Sequence, residues 1–248
     1  VDTGRSGPLE IRVDVPIAGY RHLVTPALVE RFLALVPEWP EVSRGIELVL
    51  LADGRRSADG WYEDGLVALN AWYDPAAVTV EPIYYAEHRD IFARLGVASR
   101  PEPDFLCAVP GMILSELEHC LSTDVHELLE RKLGRYDMQR GPAPGEWRAI
   151  ERRRDDEVPE VLELVQAGDE VHVYEPCVHL RFDRVSAAAF QLLHVLLHEL
   201  GHHVDAMTRP RIGRCVRGES YAEGWAHRSA ARMWDAGLAL IRDALTRA

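Results

Sequence analysis

Apolar and polar residues alternate from Leu9 to Val15, the two-residue period of a half-buried strand. Thr25-Pro26 then offers a cap followed by a proline at the first helical position, which predicts a helix to about Val36. Ile46 to Leu51 is a short run of β-branched residues and leucines. Trp61 to Trp72 and Val78 to Tyr85 predict further strands, parted by Asp74-Pro75, and Glu87 to Leu95 predicts a short helix. Pro101 and Pro103 mark a break at Ser99 to Pro103, where we place the boundary between an N-terminal α/β region (residues 1–100) and the rest (101–248). Beyond it, Phe105 to Val109 reads as a strand and Ser122 to Leu133 as a helix capped by Ser122 or Thr123. Residues 140–157 read as loop, with the charge block Glu151 to Glu157 as solvated surface. Val171 to Val173 and Val178 to Phe182 read as strands.

The last sixty residues are the most periodic. Ser186 is suited to cap a helix that runs to about Met207 and stops before Arg209-Pro210. Phe190, Leu193, Leu197, Leu200 and Val204 recur at helical spacing, so one face of this helix belongs to a core. A second helix is expected from about Glu219 almost to the end of the sequence.

Composition narrows the function classes. With 248 residues, 47% of them apolar, the chain is long enough for one large domain or two small ones. A formal charge of −12 argues against general affinity for nucleic acid or anionic membrane, which need basic surfaces. Cys107, Cys120, Cys177 and Cys215 form no CxxC pair, so a cysteine-rich zinc site is not expected; they read as reduced, mostly buried thiols. Val1 to Leu9 has no apolar signal-peptide core, and no apolar run approaches the ~20 residues that span a bilayer. The expected location is the cytoplasm, with neither nucleic acid nor membrane as partner.

Chemistry concentrates in the penultimate helix. His198-Glu199-Leu200-Gly201-His202 is an HExxH motif. Residues four apart lie ~40° apart around a helix, so both imidazoles leave one face. Two neighbouring nitrogen donors suit a tetrahedral zinc ion. Glu199, one residue on, lies beside such an ion and can take a proton from a water that the metal activates. A sequence of this composition contains HExxH by chance about one time in twenty, before the helical context is required. That context is present here.

A third ligand is expected from Gly218-Glu219-Ser220-Tyr221-Ala222-Glu223-Gly224-Trp225-Ala226. Glu219 and Glu223 are four apart and share a helical face, so either carboxylate can serve. Ala222, Ala226 and Ala230 lie on or beside that face, and Gly201 is small on the facing helix. Close helix packing, which delivers a carboxylate to the metal, is therefore possible.

The pair His-Glu-Leu-Gly-His and Glu-x-x-Ala-Glu-x-Trp-Ala resembles the gluzincins, HExxH metallopeptidases whose third ligand is a glutamate on a following helix. The resemblance covers residues 190–231. It implies an α+β, zincin-like fold with a mixed sheet ahead of the HExxH helix. It also implies Zn2+ as cofactor, His198, His202 and Glu219 as ligands, and Glu223 supporting a ligating histidine from behind. The subclass with a third histidine fits less well: Asp205 stands at its glycine position and Thr208 at its final histidine. Asp205 is a candidate for supporting the ligands or the helix end.

Other residues offer roles without a fixed spacing. His194, one turn before His198, is a candidate to line the cleft, and His203 reads as structural or exposed. Tyr221 and His227 are candidates to stabilise an oxyanion. His172 and His179 lie on strands before the HExxH helix; in zincins an edge strand near that helix binds substrate backbone by strand addition. Arg209, Arg211, Arg214 and Arg217 cluster between the two helices and read as a solvated linker, or as a preference for acidic substrates. The expected function is a zinc metallopeptidase acting on peptide or protein substrates with Glu199 as general base. A zinc hydrolase of non-peptide amides or esters and a zinc-containing binding module are the alternatives.

Overall fold

The computed structural model describes residues 9–56, 58–73, 76–80, 82–101, 104–110, 136–140, 146–151, 161–167, 170–175, 177–208 and 218–247; between 102 and 176, side chains are described for His172 alone. In chain order the elements are β1 (Glu10–Val13), β2 (Tyr20–Arg21), α1 (Pro26–Leu33), α2 (Trp39–Val42), β3 (Leu48–Ala52), β4 (Gly60–Glu63), β5 (Leu66–Asn70), β6 (Trp72–Tyr73), β7 (Ala77–Val80) and α3 (Pro82–Leu95). There follow β8 (Ala98–Pro101), β9 (Asp104–Pro110), β10 (Tyr136–Arg140), β11 (Glu146–Glu151), β12 (Val161–Ala167), β13 (Glu170–Glu175) and β14 (Val178–Arg181). The last part is α4 (Arg184–Phe190), a π-helical stretch (Gln191–Leu196), α5 (Leu197–Thr208) and α6 (Gly218–Thr246). Helix and strand are both abundant, as an α+β chain requires. No helix among the described residues is long and apolar enough to cross a membrane.

The chain forms two compact units, one from residues 1–77, 91–97 and 181–248, the other from 78–90 and 98–180. This differs from a single boundary near residue 100. The physical reason is that the N-terminal strands supply the sheet on which the C-terminal helices pack, so both chain ends share a core.

In the first unit the sheet runs β1-β3-β5-β4. β1, β3 and β5 are parallel, and β4 is antiparallel to β5 at the edge. β3 and β5 are buried over most of their length, which explains their continuous apolar sequences. β1 is mostly exposed, so its alternation marks an edge strand rather than a half-buried one. The stretch from Trp61 to Trp72 is not one strand but a hairpin. Asp64 (φ 42°) and Gly65 (φ 90°) both take left-handed conformations, the requirement of the tight turn that matches strand twist.

α1 starts as expected, with the Thr25 hydroxyl accepting from Leu28 N–H at 3.2 Å and Pro26 opening the first turn. The HExxH helix begins three residues earlier than expected. Asp183 is its cap and Ser186 the reciprocal partner in a capping box. Of the predicted stripe, Phe190, Leu193, Leu197 and Leu200 are buried, joined by Leu192 and Leu196. Phe190 also packs with Trp72, Phe92 and Phe182 in an aromatic cluster. A Cβ on Gly237 would lie 3.1 Å from Leu193 and 3.2 Å from Phe32, so α6, the π-helical stretch and α1 meet there.

The second unit holds an antiparallel sheet, β10-β11-β12-β13-β9, and a three-stranded sheet, β7-β14-β8. The strand expected over Val78 to Tyr85 ends at Val80. Pro82 opens α3 instead, because proline is well suited to a first helical turn. The break expected at Ser99 to Pro103 is partly strand β8, and the loop expected over residues 140–157 contains β11. The helix expected over Ser122 to Leu133 and most of the Glu151 to Glu157 charge block lie outside the described residues. Cys177 is buried, as expected.

Candidate metal centre

Buried leucines fix α5 from below, and two polar anchors set its rotation. Gln191, in the π-helical stretch, donates from Nε2 to the backbone carbonyl of Asn70 at 2.7 Å, tying the helix to the end of β5. Asn70 in turn accepts from Gly54 N–H at 2.8 Å and donates to the carbonyls of Arg56 and Ala58, so it shapes the loop that leads into β4. At the far side, His203 is buried. Its Nε2 donates to the Arg44 carbonyl at 2.9 Å, and the Tyr62 hydroxyl donates to its Nδ1 at 3.3 Å. Burial pushes His203 down from its usual pKa, against the pull of backbone acceptors at Arg44 and Val42. His203 is therefore structural, one of the two readings expected, and it is not exposed.

α5 and α6 meet closely at Gly201. A Cβ there would lie 2.7 Å from both Cα and O of Ala222, inside van der Waals contact. This approach brings Glu219 over the two histidines. His198 Nε2 and Glu219 Oε2 are 3.0 Å apart, His202 Nε2 and His198 Nε2 are 3.0 Å apart, and His202 Nε2 and Glu219 Oε2 are 3.5 Å apart. The three atoms form a small triangle whose edges lie close to the ~3.3 Å separation of ligands on a tetrahedral zinc ion. Two imidazoles and one carboxylate also match zinc in ligand type.

Behind His198, Glu223 Oε2 accepts from Nδ1–H at 2.9 Å. That bond places the proton on Nδ1 and presents Nε2 as a lone pair towards Glu219 and His202. Glu223 Oε1 lies 2.8 Å from His227 Nε2 and 3.8 Å from His194 Nδ1. His194 is buried against Phe190, so it lies behind His198 rather than lining an open cleft. His227 is half-exposed.

The electrostatics of the triangle favour positive charge. Burial pulls His198 down, but the hydrogen bond to Glu223 and the charges of Glu199, Glu223 and Glu219 outweigh it and leave its pKa raised. Burial lowers the pKa of His202, with the His198 charge acting the same way and Glu219 opposing both. Asp205 is buried and its charge also acts on His202. It lies in the last turn of α5. Glu199 is buried at 7% exposure, and burial pushes its carboxyl up to about 7; the His198 charge pulls it down and Glu219 adds to the rise. Gly60, the first residue of β4, makes room for it: a Cβ at Gly60 would lie 3.1 Å from Glu199 Cγ and 2.7 Å from Val195. The edge strand beside the HExxH helix is thus β4.

The structure brings His198, His202, Glu199, Glu219 and Glu223 together and adds His194, His227 and Asp205 around them. Tyr221 lies two residues beyond Glu219 on α6, about 200° around the helix axis from it. His172 lies on β13 and His179 on β14, both in the second unit, so neither is on the edge strand beside the HExxH helix. His179 contacts Thr79 Oγ1 at 3.1 Å and Cys177 Sγ at 3.6 Å. Arg209, Arg211, Arg214 and Arg217 lie outside the described residues. Sequence reasoning did not single out Gly60, Tyr62, Asn70 or Gln191. The Asp64-Gly65 turn signal was the one local clue that places β4 as a separate strand.

Comparison with protein-family models, curated proteins and solved structures returns no match for this chain.

Proposed function

We propose that this protein is a zinc metallopeptidase with a zincin-like catalytic unit. The observation that carries the reading is the His198, His202 and Glu219 triangle, whose edges of 3.0, 3.0 and 3.5 Å suit one tetrahedral ion. Charge supports it as well. Glu199, Glu219 and Glu223 surround two imidazoles, an excess of negative charge that a divalent cation balances. A structural zinc site is normally closed by four protein ligands, whereas three donors leave a position for water or substrate.

Bound at these donors, zinc would polarise a substrate carbonyl and acidify a water. The chain's own residues do the rest. Glu223 holds His198 in the tautomer that presents Nε2. Glu199, buried beside the triangle, takes the proton from the attacking water and passes it to the leaving amine nitrogen. The same burial that raises its pKa makes it a competent proton carrier near neutral pH.

A peptide substrate, rather than another amide or ester, is favoured by β4. It is paired on one side by β5, ends the sheet order, and starts beside Glu199. An extended peptide can add to such an edge by main-chain hydrogen bonds, with its scissile bond near the base.

The test is Glu199→Gln, assayed on a protein or peptide-library substrate. It should keep its zinc and lose about 100- to 10,000-fold in turnover. Turnover at the wild-type rate would refute the assignment.

A further inference from the structure

We infer that Asp59 is a specificity-determining residue: its carboxylate receives a cationic group of the substrate, an ammonium or guanidinium, at the start of the β4 edge. The inference rests on the peptidase reading above and names the class of substrate it favours.

The free edge of β4 begins at Asp59. Its carbonyl accepts from Asn70 N–H at 2.8 Å, so the ladder between β4 and β5 reaches one residue beyond Gly60. Just before it the chain folds back, because Asn70 donates to the carbonyls of Arg56 and Ala58 and accepts from Gly54 N–H. Opposite residues of an antiparallel pair alternate between bonded and non-bonded. Asp59 and Asn70 are a bonded pair, so the main-chain groups of Gly60 and Tyr62 point away from β5. Gly60 is also the residue that stands beside Glu199. A strand advances about 3.4 Å per residue, so a peptide on this edge sets a group beside Asp59 within about two residues of the bond beside Glu199.

Asp59 brings an uncompensated negative charge to that place. The residue keeps some exposure, yet burial pushes its carboxyl up to about 6, and no charged neighbour among the described residues offsets this. The arginines just before it are engaged elsewhere. Arg55 Nε lies 3.2 Å from Asp53 Oδ2, and the Arg56 guanidinium lies 4.3 Å over the Trp61 ring. Its polar neighbour is the Trp72 indole, whose buried N–H lacks a hydrogen bond of good geometry. A desolvated carboxylate without a cation is costly to keep, and such groups concentrate where a ligand completes them. A substrate ammonium or guanidinium supplies the missing partner through charge-assisted hydrogen bonds. The formal charge of −12 favours the approach of the same sign.

The experiment uses the full chain with zinc added, in the Glu199→Gln form so that binding is read without cleavage. The probes are neutral hexapeptides with a fluorophore at the C-terminus. Their N-terminus is free or acetylated, and lysine, norleucine or glutamate is placed at each position in turn. Fluorescence anisotropy gives the dissociation constants. We expect the free amine, or lysine at one position, to bind about 10- to 100-fold tighter than its acetylated or norleucine counterpart. A gain at the free amine identifies the peptide's own terminus as the cation, and a gain at a lysine identifies a side chain. Adding Asp59→Asn should bring that ratio close to one and tighten binding of the glutamate peptide, which loss of a merely structural residue would not do. Asp59→Glu keeps the charge and should keep part of the preference. A ratio near one with Asp59 present, or a preference that survives Asp59→Asn, overturns the inference. Cleavage of the same peptides by wild type decides the reading beneath it. An Asp59-dependent preference in a protein that cleaves none of them would refute the peptidase and leave the cation site standing. Cleavage without any preference would refute the cation site alone.

Discussion

Replacing Gly201 with alanine sets two effects of opposite sign against each other. Glycine inside a helix is about 1 kcal/mol worse than alanine, so on propensity alone the variant is stabilised. The structure predicts the reverse. The new Cβ would lie 2.7 Å from Ala222 Cα and O, where ordinary contact begins at 3.4 Å, and the obstructing atoms are backbone. Relief requires α5 and α6 to part by about 0.7 Å at this point. Overpacking of this kind costs about 1–3 kcal/mol, enough to cancel the propensity gain and leave a net loss. The same displacement acts on the triangle, because Glu219 is one turn before Ala222. Zinc ligands tolerate errors of about 0.2 Å, so a shift several times larger should weaken zinc binding by about tenfold or more. Urea unfolding of the metal-free protein gives the first quantity and chelator competition the second. A Gly201→Ala protein that is more stable than wild type and binds zinc equally well would refute the claim that close helix approach builds the site.

Two further predictions concern the frame around the centre. Asp183→Ala removes the half of the capping box in which the Asp183 carboxylate accepts from Ser186 N–H, and leaves the backbone N–H that donates to Ser186 Oγ; it should destabilise the protein by about 1 kcal/mol in urea, with zinc stoichiometry unchanged, and no loss would mean the cap is redundant. Burial pushes the Asp59 carboxyl up to about 6, against a downward pull from Trp72, whose indole N–H makes no hydrogen bond of good geometry. A carboxyl with a raised folded pKa contributes fully below its unfolded value near 4 and loses that contribution as pH rises through 6. Wild type should therefore lose on the order of 2 kcal/mol relative to Asp59→Asn between pH 4 and 7, and parallel stability curves would show that the side chain is solvated.

What could be read from the sequence was local. The HExxH spacing puts His198 and His202 on one face whatever surrounds them, and Glu219 and Glu223 share a face for the same reason. The small residues Gly201 and Ala222 signalled the helix approach that the structure contains. The strands that fill the middle of the chain were less legible, since the loop-like composition of residues 140–157 gave no hint that β11 pairs on both sides. Pro82 was overlooked as a helix start because the preceding β-branched residues dominate the pattern. The long-range partners had no local signal at all. Gln191 reaches Asn70 and His203 reaches Arg44 and Tyr62 across more than a hundred residues. The choice of β4 as the strand beside Glu199 depends on the sheet order, which periodicity does not encode. His227 was noticed as a candidate to stabilise an oxyanion, but its approach to within 2.8 Å of Glu223 follows from side-chain geometry alone.

The most direct test of the central claim is the zinc content of the purified protein by elemental analysis, with Glu219→Ala and Glu223→Ala measured beside it. The account predicts one zinc ion per chain in wild type, lost in Glu219→Ala and largely kept in Glu223→Ala. Wild type that holds no zinc after incubation with the metal, or zinc retained without Glu219 and lost without Glu223, would contradict it.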